Sequence, residues 1–296
     1  MRRWWRDSAL RGYLKGVWDQ SGDDNIFFLA GGIAFNILLA AVPFVLLLVS
    51  GLGYILNLSP AASLARASVL IDRLLPAESG STAVAVHGLF NDIIRARGQV
   101  GLYSAIGFVW FSTRLFGSLR TVLANVFDIE DRGIIDGKVF DMKVTIVATL
   151  MVVAYTALSA YLAIATTRGV QLLAEAGVQR AAMGHLAYSV ARVVAFGVIG
   201  LLCFALYKFL PNRHIRTQQA LVSAAVASVL FEAARLLFEV YIKHFNPGSL
   251  YTGTLAALVI VTFWVYYAAL LFILGGEVGQ VYELRRVRRL QRESLL

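Results

Sequence analysis

This 296-residue chain is poor in charge, cysteine and proline: 15% of its residues are charged, and it has one cysteine and five prolines. Charged residues make up about a quarter of an ordinary globular chain, so much of this one is built to lie out of water. The lone Cys203 excludes an intrachain disulfide framework. Strand-like alternation, low-complexity tracts and internal repeats are all missing, which leaves inverted-repeat symmetry without support. Residues 1–24 are too charged for a signal peptide, and no small-residue cleavage site follows a short apolar core.

Catalytic signatures are missing as well. His87, His185, His214 and His244 fall in four different loops or loop edges, without HxH, HxxxH or HExxH spacing, so no ligand cluster for a metal is visible. No GxSxG elbow, Walker loop or GxGxxG opens a helix, and the Gly31–Gly32 pair belongs to an apolar span. The acidic run DIEDRGIID at 128–136 lacks EF-hand spacing and reads as a solvated turn. The sequence predicts no catalytic residue, no metal, no cofactor and no enzyme activity.

What is present is apolar: 58% of the chain. The economical reading is an all-α, polytopic membrane protein without a large soluble domain. Six segments can cross a bilayer, at roughly 28–57, 98–118, 144–167, 187–209, 219–242 and 251–275. The first belongs to a charge-free stretch from Asn25 to Ala65, which would reach ~60 Å as one helix, twice the hydrocarbon thickness. Gly31, Gly32, Pro43, Gly51 and Gly53 therefore predict a kinked or broken first span.

Residues 1–24 form a basic amphipathic segment, with Leu10, Tyr13, Leu14, Val17 and Trp18 at helical spacing and Trp4 and Trp5 suited to the headgroup zone. The domain organisation is thus an interfacial segment 1–24, a six-span domain 25–282, and a basic cytoplasmic tail 283–296. Loop 59–97 carries two further amphipathic patterns, expected as short helices on the outer surface.

The net charge of +9 fits membrane topology better than nucleic-acid binding. With both termini inside, inner segments hold seventeen of the 27 Lys and Arg, outer loops hold seven, and Arg114, Arg192 and Arg235 lie within spans. Both ends are therefore expected in the cytoplasm.

Charges inside spans are the candidates for function. Glu232, Arg235 and Glu239 stand at i, i+3, i+7 and share one helix face. Each ionised group near mid-bilayer costs about 2.5–3.5 kcal/mol, so this stripe must face protein, water or a ligand. Counting along the spans puts Glu232 ~20 Å in from the inner end and Arg192 ~8 Å below the outer end of the preceding span. These two lie at comparable depth, and Arg192, Glu232, Arg235 and Glu239 sum to zero formal charge.

A neutral network that locks helices and a polar path for a substrate both satisfy this pattern. Arg114, near the inner end of span two, can snorkel to headgroup or substrate phosphate. Glu277 follows Gly275–Gly276 at the inner interface, where a hydrated carboxylate costs little. Asn36 and the carbonyl freed by Pro43 mark either a kink or a pathway in span one. Ala220, Ala224 and Ser228, with Ser223 and Ala227 beside them, form a small-residue face suited to close helix packing.

Four stretches together resemble the YihY/BrkB family, which often carries the label "ribonuclease BN-like". They are AGGIAFNILLAAVPF at 30–44, WFSTRLFGSLRTVLANVFD at 110–128, LYKFLPNRHI at 206–215, and FEAARLLF through YTGTLAALVIVTFWVYYAALLFILGGE at 231–277. Thr252 separates Tyr251 from Gly253, where the family commonly has Tyr-Gly adjacent. The resemblance implies a six-span bacterial inner-membrane protein with cytoplasmic termini. Its polar pattern falls on Asn36, Pro43, Arg114, Asn125, Pro211, Asn212, Glu232, Arg235, Tyr251, Gly253 and Glu277.

The expected function is transport or translocation, without ATP, of an anionic amphiphile such as a lipid, or of a small solute. Membrane lipids and an anionic substrate are the expected partners; nucleic acid is not. The alternatives are a membrane scaffold without transport and the tRNA-processing ribonuclease of the family label. Nothing in the sequence sets an oligomeric state.

Overall fold

In lipid every backbone donor and acceptor must be satisfied within the protein, and a helix does this within one segment. The computed structural model describes residues 2–55, 101–130, 133, 135–147, 196–245 and 254–294, and every regular element among them is a helix. In chain order these are α1 (Arg2–Asp23), α2 (Ile26–Ile55), α3 (Gly101–Val126), α4 (135–147), α5 (Phe196–Phe209), α6 (Thr217–Phe245) and α7 (Thr254–Glu293).

Three of the described helices, α2, α6 and α7, are long and apolar enough to cross a membrane. Large side chains such as Phe27, Phe28 and Phe35 on α2 and Val229, Leu237 and Val240 on α6 point outward, as lipid-facing positions do. Helix α3, expected as a span over 98–118, is not among the three: it runs on to Val126 and carries Arg114 and Arg120. The spans expected at 144–167 and 187–209 are described only over 144–147 and 196–209. Loop 59–97 and its two expected helices lie outside the described residues.

Of the kinked or broken first span expected, helix α2 excludes a break over its length. It is unbroken from Ile26 to Ile55 and passes through Pro43. The buried Pro43 ring lies opposite Gly107 of α3, where the missing side chain leaves room, and Phe44 packs on Phe108 with ring centroids 5.7 Å apart. Packing across this seam supports the helix where Pro43 removes one backbone hydrogen bond.

Helix α2 packs on α3 and also contacts α7, and α6 and α7 meet in antiparallel fashion, with Ser223 at Gly279 and Ala227 at Gly275. Their shared core includes Ile33, Leu123, Val126, Tyr207, Ala224 and Ile273. The small face of α6 packs on glycines of α7: a Cβ on Gly275 would lie 2.6 Å from Ala227 Cβ and 2.9 Å from the Ser223 carbonyl. Small residues on both sides let the two backbones approach this closely.

At 40 residues α7 is ~60 Å long, twice the hydrocarbon thickness. The run from Thr254 to Leu274 suffices to cross, and the helix from Gly275 to Glu293 projects beyond it. The expected tail from 283 is therefore a rigid continuation of the last span as far as Glu293. Helix α1 is docked on this projection rather than held by lipid alone. Tyr13 Oη donates to the Val278 carbonyl at 2.6 Å, and the Arg285 guanidinium lies 5.0 Å from the Tyr13 ring centroid. Leu14 and Trp18 stay exposed on the other side of α1.

Candidate functional site

The ionic stripe lies in the C-terminal half of α6. Arg235 Nη2 and Nε donate to the two carboxylate oxygens of Glu232 at 3.0 and 3.1 Å, a bidentate pair one turn apart. The face of α6 packed on α7 is marked by Ala220, Ala224, Ala227, Phe231 and Phe238, the last two against Trp264. At about 100° per residue, Glu232 and Arg235 stand roughly a quarter-turn from that seam. The two side chains keep 24% and 26% of their surface exposed, so the α6–α7 contact does not seal them.

Helix α5 adjoins α6 where a Cβ on Gly200 would meet Ser228 Oγ at 3.3 Å, one turn before Glu232. The contact between these two elements that a pairing of Arg192 with the stripe requires is thus made, although Arg192 itself lies outside the described residues. Glu239 continues the stripe on the backbone of α6, and its side chain lies outside the described set.

The remaining sequence candidates scatter. Arg114 is exposed on α3 twelve residues before Val126, ~18 Å from the helix end, because α3 outruns the span expected to close at 118. Asn36 donates to the Gly32 carbonyl at 2.9 Å, bonding back onto its own helix. Asn125 is exposed in the last turn of α3, and Pro211 is buried beside an exposed Asn212 in the bend after α5. Tyr251 and Gly253 lie outside the described residues.

At the opposite end, the α1–α2 junction and the ends of α3, α5 and α6 gather around the middle of α7. Here Glu277 departs from expectation. It is 0% exposed rather than at an open interface, and among the described residues neither carboxyl oxygen has a hydrogen-bond donor. Helix α7 is pressed against α6 and α5 through Gly275, Gly276 and Gly279, and this carries the next side chain inside. Asp24 and Asp128 face it. Gln219 Nε2 donates to Gln280 Oε1 at 3.0 Å, and Gln280 Nε2 donates to Asp128 Oδ2 at 3.4 Å. Asp128 takes a left-handed turn at φ 51°, which closes the end of α3.

Sequence reasoning also missed a buried ion pair. Arg120 of α3 meets Asp141 of α4 through Nε–Oδ1 at 3.0 Å and Nη2–Oδ2 at 3.3 Å, with side chains 9% and 5% exposed. Gly137 and Gly117 make room for the pair: a Cβ on Gly137 would lie 2.6 Å from Arg120 Nη2, and one on Gly117 would lie 3.0 Å from Asp141 Oδ2. Among the described residues, no three His, Cys, Asp or Glu side chains gather in a metal-binding set.

The chain is 26% identical over 257 residues to a UPF0761 membrane protein of Chlorobium chlorochromatii (strain CaD3), an alignment that covers 86% of this chain and 56% of that relative. It is 26% identical over 266 residues to a UPF0761 membrane protein of Pseudoalteromonas atlantica (strain T6c / ATCC BAA-1087), covering 88% and 82%. A third such protein, from Cronobacter sakazakii (strain ATCC BAA-894), is 23% identical over 296 residues, covering 98% and 96%. The chain thus spans little more than half of the Chlorobium relative and nearly all of the Cronobacter one. No solved structure matches. The profile of the family described as "Virulence factor BrkB" matches residues 17–294, and the chain belongs to that family of membrane proteins.

Proposed function

We propose that this protein moves an anionic amphiphile, a phospholipid-like molecule, between leaflets of the bacterial inner membrane without nucleotide energy, with both termini in the cytoplasm. The observation that carries the reading is the Glu232–Arg235 pair, held in a span yet open over about a quarter of each side chain. A guanidinium presents five donors in a planar fork suited to phosphate and carboxylate. Glu232 keeps Arg235 neutralised in the resting state, and an arriving headgroup takes the place of that carboxylate.

Reconstitution of the purified chain in vesicles with a fluorescent anionic phospholipid tests this. The account expects lipid movement above protein-free vesicles, reduced at least tenfold by Arg235→Gln and by Glu232→Gln. No movement, or full movement in both variants, overturns it.

A second reading, a membrane scaffold, draws on the same bidentate pairing, since an internally neutralised pair also locks a helix face. It expects Glu232→Leu/Arg235→Leu to alter thermal stability and leave cellular function intact.

A further inference from the structure

Among the described residues, the junction around Glu277 holds acid groups and no counter-charge. Its carboxyl is fully buried, and both oxygens lack a donor among the described residues. Asp24 lies within hydrogen-bonding reach and is itself an acceptor when ionised, and Asp128 lies near enough to act on Glu277 through its charge. The surrounding elements offer no cation among the described residues. Helix α5 contributes Tyr207, whose hydroxyl donates to the Phe272 carbonyl. Helix α6 contributes Ser223 and Gln219, which do not ionise in the ordinary pH range, and the next acid along α7, Glu283, pairs with Arg216 and Arg286.

Two carboxylates in contact repel and cannot hydrogen-bond; a carboxylic acid and a carboxylate attract and can. An unpaired buried carboxylate would cost several kcal/mol, whereas a proton removes that penalty and supplies the missing donor.

We infer that Glu277 carries a proton that it donates in a hydrogen bond to Asp24, and that this junction is a proton-binding site. In the bound state the Glu277 O–H donates to the Asp24 carboxylate. On release that O–H bond breaks, the proton passes to water reached through partly exposed Asp24 and exposed Asp128, and two facing carboxylates remain. Their repulsion acts on the α1–α2 junction, where Asn25 takes a left-handed turn at φ 50°. The proton therefore controls how firmly α1 and the start of α2 stay seated on α7. This site does not depend on the lipid reading, since none of its residues belongs to the α6 stripe.

Infrared spectroscopy of the full chain in lipid nanodiscs at pH 7 tests the inference. The expected spectrum contains the carbonyl stretch of a protonated carboxylic acid. That band shifts with 13C-labelled glutamate and disappears in Glu277→Gln, whose amide can still donate to Asp24. A wild-type spectrum without a glutamate-derived acid band, or a band that persists in Glu277→Gln, overturns it. Asp24→Asn gives a second reading should Glu277→Gln not fold: the glutamic acid band remains but moves as its acceptor changes, and an unmoved band overturns the pairing with Asp24.

Discussion

Arg120 and Asp141 are tied by two hydrogen bonds in a site nearly closed to solvent, so each depends on the other for its charge to be tolerated. Removing one partner of a buried pair costs about 3–5 kcal/mol because the other charge is stranded. Arg120→Ala should accordingly lower the thermal midpoint strongly, while Arg120→Ala/Asp141→Ala should recover part of the loss; equal midpoints for the single and double variants would contradict this. Tyr13 gives a pH signature. Burial raises its phenol above the usual 10, outweighing the opposing influence of Arg285. The folded state thus holds the phenolic proton more tightly than the unfolded chain does. That contribution is complete below pH 10 and lost as the pH climbs through the folded value. Tyr13→Phe should flatten the alkaline fall in stability, read as midpoint against pH from 9 to 12, and an unchanged slope would count against it. The Glu232–Arg235 pair was legible in the sequence because i, i+3 is a local rule of helices. Arg120–Asp141 was not, since its 21-residue separation is closed only by the turn between α3 and α4. Glu277 was misplaced because position along a span says where the membrane ends and not which helices cover the residue.

Between elements, the α6–α7 seam gives the sharpest prediction. Gly275→Ala puts a methyl group 2.6 Å from Ala227 Cβ and 2.9 Å from a backbone oxygen, neither of which is the end of a flexible side chain. Separating the helices to admit it should cost about 1–3 kcal/mol, measured as lost thermal stability in detergent, and a neutral substitution would show the seam to be looser than described. The α6 half of this seam was readable as a small-residue face. The α7 half was read only as the end of a span, although Gly275 and Gly279 stand four apart and mirror it. Two element boundaries were also hidden. The breakers in α2 suggested a kink or a break, and packing on α3 goes with a helix unbroken to Ile55; the charged end of α7 looked like a separate tail because hydropathy changes there while helix geometry does not.

At the scale of the molecule, the all-helical membrane class and the family followed from composition and four motifs, and the family profile agrees over residues 17–294. Composition counted six apolar segments, and three of the described helices are long and apolar enough to cross a membrane; α3, with Arg114 and Arg120 along it, falls outside that set. The topology proposed here makes both ends cytoplasmic, so reporters fused to either terminus should report the same compartment; opposite compartments would require an odd number of crossings. The central claim is that the α6 stripe meets an anionic amphiphile. Its most direct test is mass-spectrometric mapping of a photoactivatable anionic phospholipid cross-linked to the reconstituted chain. The account predicts adducts on the α6 segment around Phe231–Arg235 that unlabelled anionic lipid displaces and Arg235→Gln abolishes. Adducts absent from α6, or formed equally with a zwitterionic probe, would contradict it.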